Sequence, residues 1–229
     1  NRYLIVEAIK HAAAIGAQWI VTPELAVCGL QFAHVVGSDW IQPQPDPWTQ
    51  QVCRLVKTLK RTVFLGCPER EGRRFYNSVF VIGPTGEIIG QHRKLNVVSD
   101  SLSWSNPGDR VAPIECDGIK VGVLICSDAY TSNIARAVKF EGAEMLISPA
   151  SWGPGIHGPN GEWEQRSQET GLPVIVCNRT GAEQTLDFWK APSLVAKNGD
   201  RLLSHTSDRS AVLTFDWDFS NMVPSSTHL

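Results

Sequence analysis

Short apolar runs of strand length alternate with stretches of helical periodicity from one end of the 229-residue chain to the other. Leu4, Ile5, Ala8, Ile9, Ala12 and Ala13 recur at helical spacing and stop at Gly16, which predicts a helix over 2–15. A β-prone run over 19–22 follows and ends at Pro23, so Glu24 falls where a buried strand emerges into a loop. A Pro-rich loop over 42–47 leads into a helix over 48–60, then a strand over 63–66. Two hairpins are expected, one pairing 78–82 with 88–90 across Gly83-Pro84-Thr85-Gly86, its second arm running on to Arg93-Lys94. The other pairs 193–196 with 201–203 across Lys197-Asn198-Gly199-Asp200. Between them the pattern gives strands over 120–126, 145–148 and 174–177 and helices over 133–141 and 163–170. Alternation of this kind defines an α/β class, with near-continuous apolar strands covered on both faces. No linker rich in Gly or Ser divides the chain, so one domain over 1–229 is expected, its two hairpins marking two similar sheet halves.

Composition removes several classes of function. Hydrophobic residues make up 42% of the chain, which is ordinary for a folded protein and excludes disorder as the main state. The net charge of −2 provides no general attraction to phosphate backbones or anionic lipid, which argues against nucleic-acid and membrane partners. No apolar run approaches the roughly 20 residues of a membrane helix. The first residues, Asn1-Arg2-Tyr3-Leu4, lack the layout of a signal peptide. Six cysteines at no C-x-x-C spacing, most of them inside apolar runs, indicate neither a zinc site nor a disulfide framework and suit the cytoplasm. Asn178-Arg179-Thr180 fits the N-glycosylation pattern, in isolation from any other sign of secretion.

Three polar residues share one placement at strand ends: Glu24, Lys94 and Cys126. Ligand sites of α/β sheets lie beyond the carboxyl ends of strands. A carboxylate, an ammonium and a thiol meeting there would make a nucleophilic site, because a free thiol near pKa 8.5 is only a few per cent ionised at neutral pH. A cation lowers that value and a carboxylate collects the proton. Taken singly each has a plainer reading: a buried structural thiol, a solvated Glu and a surface Lys.

The surrounding words change the balance. Pro23-Glu24-Leu25-x-x-x-Gly29, His92-Arg93-Lys94-Leu95-Asn96 and Gly122-Val123-Leu124-Ile125-Cys126-Ser127-Asp128 occur in this order and together resemble the nitrilase superfamily of carbon–nitrogen hydrolases. Glu141-Gly142-Ala143-Glu144-Met145-Leu146, Ser148-Pro149-Ala150-Ser151-Trp152 and Cys177-Asn178-Arg179-Thr180-Gly181 extend the resemblance over nearly the whole chain. It implies a four-layer αββα sandwich and a Glu24, Lys94, Cys126 triad, with Asn178-Arg179-Thr180 a framework motif. By the family's mechanism Glu24 takes the Cys126 proton, the thiolate attacks, and Lys94 with the backbone amide of Ser127 stabilises the oxyanion. That chemistry needs no metal and no organic cofactor. Cys126-Ser127-Asp128 looks like the amide-hydrolysing members, whereas nitrilases typically carry Cys-Trp-Glu, so a small-molecule amide or carbamoyl substrate is expected. The family's habit also implies a homodimer or larger homo-oligomer.

Three departures accompany the resemblance. Many members carry a second Glu after the lysine, whereas residues 97–108 hold no Glu and Asp100 is their only carboxylate. Tyr130-Thr131-Ser132-Asn133 stands where several branches have Arg-Phe-Pro-Glu, which removes an Arg clamp for a substrate carboxylate. Members usually begin with a strand ahead of the first helix, so a sandwich lacking its first strand is expected. Tyr130 and Trp152 are expected to line the substrate pocket, Trp152 having an equal claim to be a core anchor for the Gly-rich loop after it. Arg166 and Glu169 are expected to pair across a helix surface or brace an oligomer. Three other functions remain open: a nitrile hydrolase of the same family, a catalytically silent family member that binds ligand, and a Cys-His hydrolase using His92 or His157.

Overall fold

The computed structural model describes residues 1–98 and 103–228, so Asp100 lies outside the described residues. The chain enters through α1 (Arg2–Ala14) and β1 (Trp19–Val21), then passes α2 (Phe32–Val36) and α3 (Pro47–Leu59). Asp46 caps α3 by accepting the Thr49 N–H at 2.7 Å, with Pro47 pre-set in the first turn. Three strands follow, β2 (Thr62–Glu71), β3 (Arg74–Ile82) and β4 (Ile88–Arg93), then β5 (Ile114–Cys116) and β6 (Ile119–Val123). A one-turn 3-10 helix (Cys126–Tyr130), α4 (Ser132–Phe140), β7 (Met145–Ala150), α5 (Glu162–Thr170) and β8 (Val174–Asn178) complete the alternating part. Three hairpins close the chain: β9 (Ala182–Glu183) with β10 (Leu186–Asp187), β11 (Ser193–Lys197) with β12 (Asp200–His205), and β13 (Thr214–Asp218) with β14 (Val223–His228).

Two sheets stack between two helical layers. One has the order β1-β2-β3-β4, the other β12-β11-β8-β7-β6-β5 with β6, β7 and β8 parallel at its centre. Alternation along β2 makes the layering: Val63, Leu65 and Cys67 join Ile5, Ile9, Val52 and Val56 of α1 and α3. Phe64, with Val79 and Val81 of β3, faces the other way into the core formed by β6, β7 and β8. Ile134, Ala135 and Val138 of α4 and Trp163 of α5 cover that second sheet. The result is the expected four-layer αββα sandwich. Among the described residues no helix is long and apolar enough to cross a membrane.

One expectation needs correction where it matters most. The strand expected over 120–126 ends at Val123, and Cys126 instead opens the 3-10 helix with φ of +49°. Leu124 still donates to the Ile147 carbonyl at 2.9 Å, but the Ile125 N–H turns to the Asp128 carboxylate at 2.9 Å, which bends the chain out of the sheet. Arg166 is not on a helix surface either. It is 4% exposed and donates through Nη1 to the Ala129 carbonyl at 2.9 Å, while Nη2 keeps the expected Glu169 partner at 2.9 Å.

Candidate active site

Glu24 is placed by a loop that the neighbouring strand holds at several points. Thr22 donates from its backbone to the Phe64 carbonyl at 3.0 Å, and its hydroxyl accepts from the Gly66 N–H at 2.9 Å. A side chain at Gly66 would stand 2.3 Å from the Pro23 carbonyl, so only glycine lets the loop lie against β2. Leu25, the next residue, takes φ of +46°, a strained value for a non-glycine residue.

The carboxylate of Glu24 is fully buried and gathers donors from three segments. Lys94 Nζ donates to Oε1 at 2.6 Å and Asn77 Nδ2 to the same oxygen at 2.7 Å, while the Ser151 N–H reaches Oε2 at 3.1 Å. The Ser151 hydroxyl donates to the Glu24 carbonyl at 3.0 Å, joining the end of β7 to the loop. Cys126 closes the group, its thiol interacting with the Glu24 carboxylate and the Ser151 backbone amide. The three residues singled out in the sequence therefore meet in one buried cluster.

Electrostatics define their resting state. Burial, and then the Glu24 carboxylate, push the Cys126 thiol above its ordinary range, and the Lys94 ammonium draws it partly back. Burial pulls Lys94 down, but the charges of Glu24 and Cys126 and the hydrogen bond to Glu24 outweigh it and raise it. At neutral pH the thiol is therefore protonated beside the Lys94 ammonium.

The remaining site residues divide by role. The Ser127 hydroxyl donates to the Asn96 carbonyl at 2.7 Å, and its backbone amide lies in the first turn of the 3-10 helix. Tyr130 is half exposed and stacks on Trp152 with centroids 5.6 Å apart and planes 18° apart. Trp152 also meets Trp163 edge-on at 5.2 Å and donates to the His157 carbonyl at 3.1 Å, so it anchors the Gly-rich loop. Asn178 is buried, accepting from the Trp152 N–H and donating to the Trp152 carbonyl, each at 3.0 Å, a framework role for that motif. His92 turns Nε2 to Asp128 at 2.9 Å. Among the described residues no group of three or more His, Cys, Asp or Glu side chains is placed to hold a metal ion. A separate cavity of about 700 Å³ opens between Arg2, Cys28, Phe32, Trp40 and Trp48, and there Arg2 is already paired with Asp46 at 3.0 Å.

Asn77 was the functional neighbour that periodicity missed. Its one sequence signal is that Asn77 and Ser78 interrupt the apolar run of β3 with adjacent polar residues, both fully buried in the fold.

Fold and cluster together define a class, and comparison with known proteins agrees. The family model described as carbon–nitrogen hydrolase matches residues 1–224. The chain belongs to that family, within the nitrilase superfamily. It is similar to a nitrilase of Pyrococcus abyssi, 29% identical over 204 residues, which span 87% of this chain and 76% of that protein. It is also similar to a citrullinase of Francisella tularensis, 27% identical over 236 residues, spanning 93% of this chain and 82% of the relative. An amidase from Nesterenkonia sp. shares the fold, with a TM-score of 0.79 at 22% identity over 90% of this chain and 80% of that one.

Proposed function

We propose that this protein is an amidohydrolase that cleaves a non-peptide C–N bond in a small amide or carbamoyl compound through a thioester on Cys126. The observation that carries the reading is the buried cluster itself: Lys94 Nζ lies 2.6 Å from Glu24 Oε1, and the Cys126 thiol interacts with the same carboxylate. Glu24 takes the thiol proton as the sulfur attacks the carbonyl carbon. The ammonium of Lys94 and the Ser127 backbone amide receive the oxyanion, and one preorganised donor of that kind contributes about 3 to 4 kcal/mol. Collapse of the tetrahedral intermediate breaks the C–N bond, Glu24 returns the proton to the leaving nitrogen, and ammonia or an amine departs. Water then gives a proton to Glu24 and attacks the thioester, releasing the acid and the thiol.

The Cys126-Ser127-Asp128 sequence favours amides over nitriles. Tyr130-Thr131-Ser132-Asn133 carries no cation after the nucleophile, and the nearby Arg166 and Arg179 are engaged by Glu169 and Glu183. A substrate without a carboxylate suits these surroundings. The test is ammonia release from a panel of primary amides, carbamoyl amines and nitriles. The reading expects release from an amide or carbamoyl compound, abolished in Cys126→Ala; release from nitriles alone would replace it with a nitrilase, and silence across the panel with a binding protein.

A further inference from the structure

Asp128 is fully buried, and four donors converge on its carboxylate. Oδ1 accepts the backbone amides of Leu95 at 3.0 Å and Asn96 at 2.8 Å. Oδ2 accepts the Ile125 amide at 2.9 Å and faces His92 Nε2 at 2.9 Å, where the Nε2–H tautomer of the ring makes the fourth donor. Every one of these partners lies within two residues of Lys94 or Cys126. A second tie runs parallel: Asn96 Nδ2 donates to the Ser127 carbonyl at 2.7 Å, and the Ser127 hydroxyl returns a bond to the Asn96 carbonyl at 2.7 Å.

A buried carboxylate is an expensive way to fill space, since an apolar side chain would need no partners. Its four bonds are spent on the two segments that carry the ammonium and the thiol. We propose that Asp128 is a positioning residue: it fastens the segment after β4 to the turn at Cys126, so that Lys94 and the nucleophile keep one fixed separation. The role rests on the amidohydrolase reading and acts through Lys94 and Cys126, with no contact to substrate.

Asp128→Asn preserves shape but turns one oxygen into a donor. Whichever way the amide is oriented, at least one backbone N–H, that of Ile125 or those of Leu95 and Asn96, then faces another donor. Asn96→Ala removes only the side-chain half of the second tie and leaves Asp128 intact. The experiment compares both variants with the parent for kcat and KM on an amide, for the rate of Cys126 alkylation by iodoacetamide across pH, and for folding by circular dichroism. A displacement of the order of 1 Å costs about 100-fold in rate. The expected result for folded Asp128→Asn is therefore a kcat lower by about 100-fold with KM little changed. Asn96→Ala should show a smaller loss of the same kind. Alkylation should slow in the same order at neutral pH, and the gap should narrow in alkali, where hydroxide replaces Glu24 as the base. A folded Asp128→Asn with parental kcat and alkylation rate would overturn the proposal. If Asp128→Asn does not fold, His92→Ala, which removes one of the four partners of the Asp128 carboxylate, decides: slowed alkylation supports the role and a parental rate overturns it. If no amide is turned over by the parent while the alkylation order holds, the positioning role stands and the amidohydrolase reading is the one that fails.

Discussion

Glu24 accepts bonds from Lys94, Asn77 and Ser151, and the division between its two oxygens decides how it can act. Lys94 and Asn77 share Oε1 while Oε2 keeps only a 3.1 Å amide bond, so Oε2 is the freer site for a proton. Asn77→Ala removes a neutral donor from a buried carboxylate. Such bonds contribute about 1.5 to 3 kcal/mol, which predicts a kcat lower by about 10- to 100-fold with KM little changed. Steady-state kinetics on the best amide of the panel would read this directly, and an unchanged kcat would remove Asn77 from the account. Glu24, Lys94 and Cys126 were legible in the sequence because each sits inside a recurring word at a strand end. Asn77 was not, since its partner is 53 residues away in sequence and nothing local marks the pairing.

Elements hold these residues in place through close backbone approach. Gly66 lies in mid-strand, and an added methyl group there would meet the Pro23 carbonyl at 2.3 Å. Gly66→Ala should destabilise by about 1 to 3 kcal/mol through overpacking and also lower activity, because the displaced loop carries Glu24. Urea unfolding and ammonia release measured together check both effects. Arg166 belongs to the same scale. Its bond to the Ala129 carbonyl ties α5 to the turn at Cys126, and Arg166→Ala should reduce stability by about 1 to 3 kcal/mol by leaving that carbonyl unpaired. Helix spacing alone paired Arg166 with Glu169 correctly, but which face of α5 is covered depends on the turn it packs against. The apolar strands and the periodic helices were legible for local reasons. The two-residue strands β9 and β10 were not, because Glu183 fixes that hairpin from a distance, accepting the amides of Leu30 and Gln31 at 3.0 and 2.8 Å. The bend at Cys126 was likewise hidden, since an apolar run reads as strand until the Asp128 side chain takes the Ile125 amide.

At the scale of the whole molecule, the four-layer sandwich buries thiols as well as hydrocarbon. Burial pushes the thiols of Cys28, Cys67, Cys126 and Cys177 above their ordinary range. The folded state keeps these protons to higher pH than the unfolded chain, whose thiols ionise near 8.5. Their contribution is thus complete below about pH 8.5 and is lost above it, at up to about 1.4 kcal/mol per pH unit for each thiol. Melting temperature should fall steadily between about pH 8.5 and 10, and a flat profile there would contradict the burial of these groups. The central claim is that Cys126 carries the acyl group during turnover. Its most direct test is mass spectrometry of protein quenched in acid while hydrolysing an amide, with Cys126→Ala run beside it. The account predicts an added acyl mass on the Cys126 peptide, released by hydroxylamine, and neither adduct nor turnover in the variant. Turnover that persists in Cys126→Ala would contradict it.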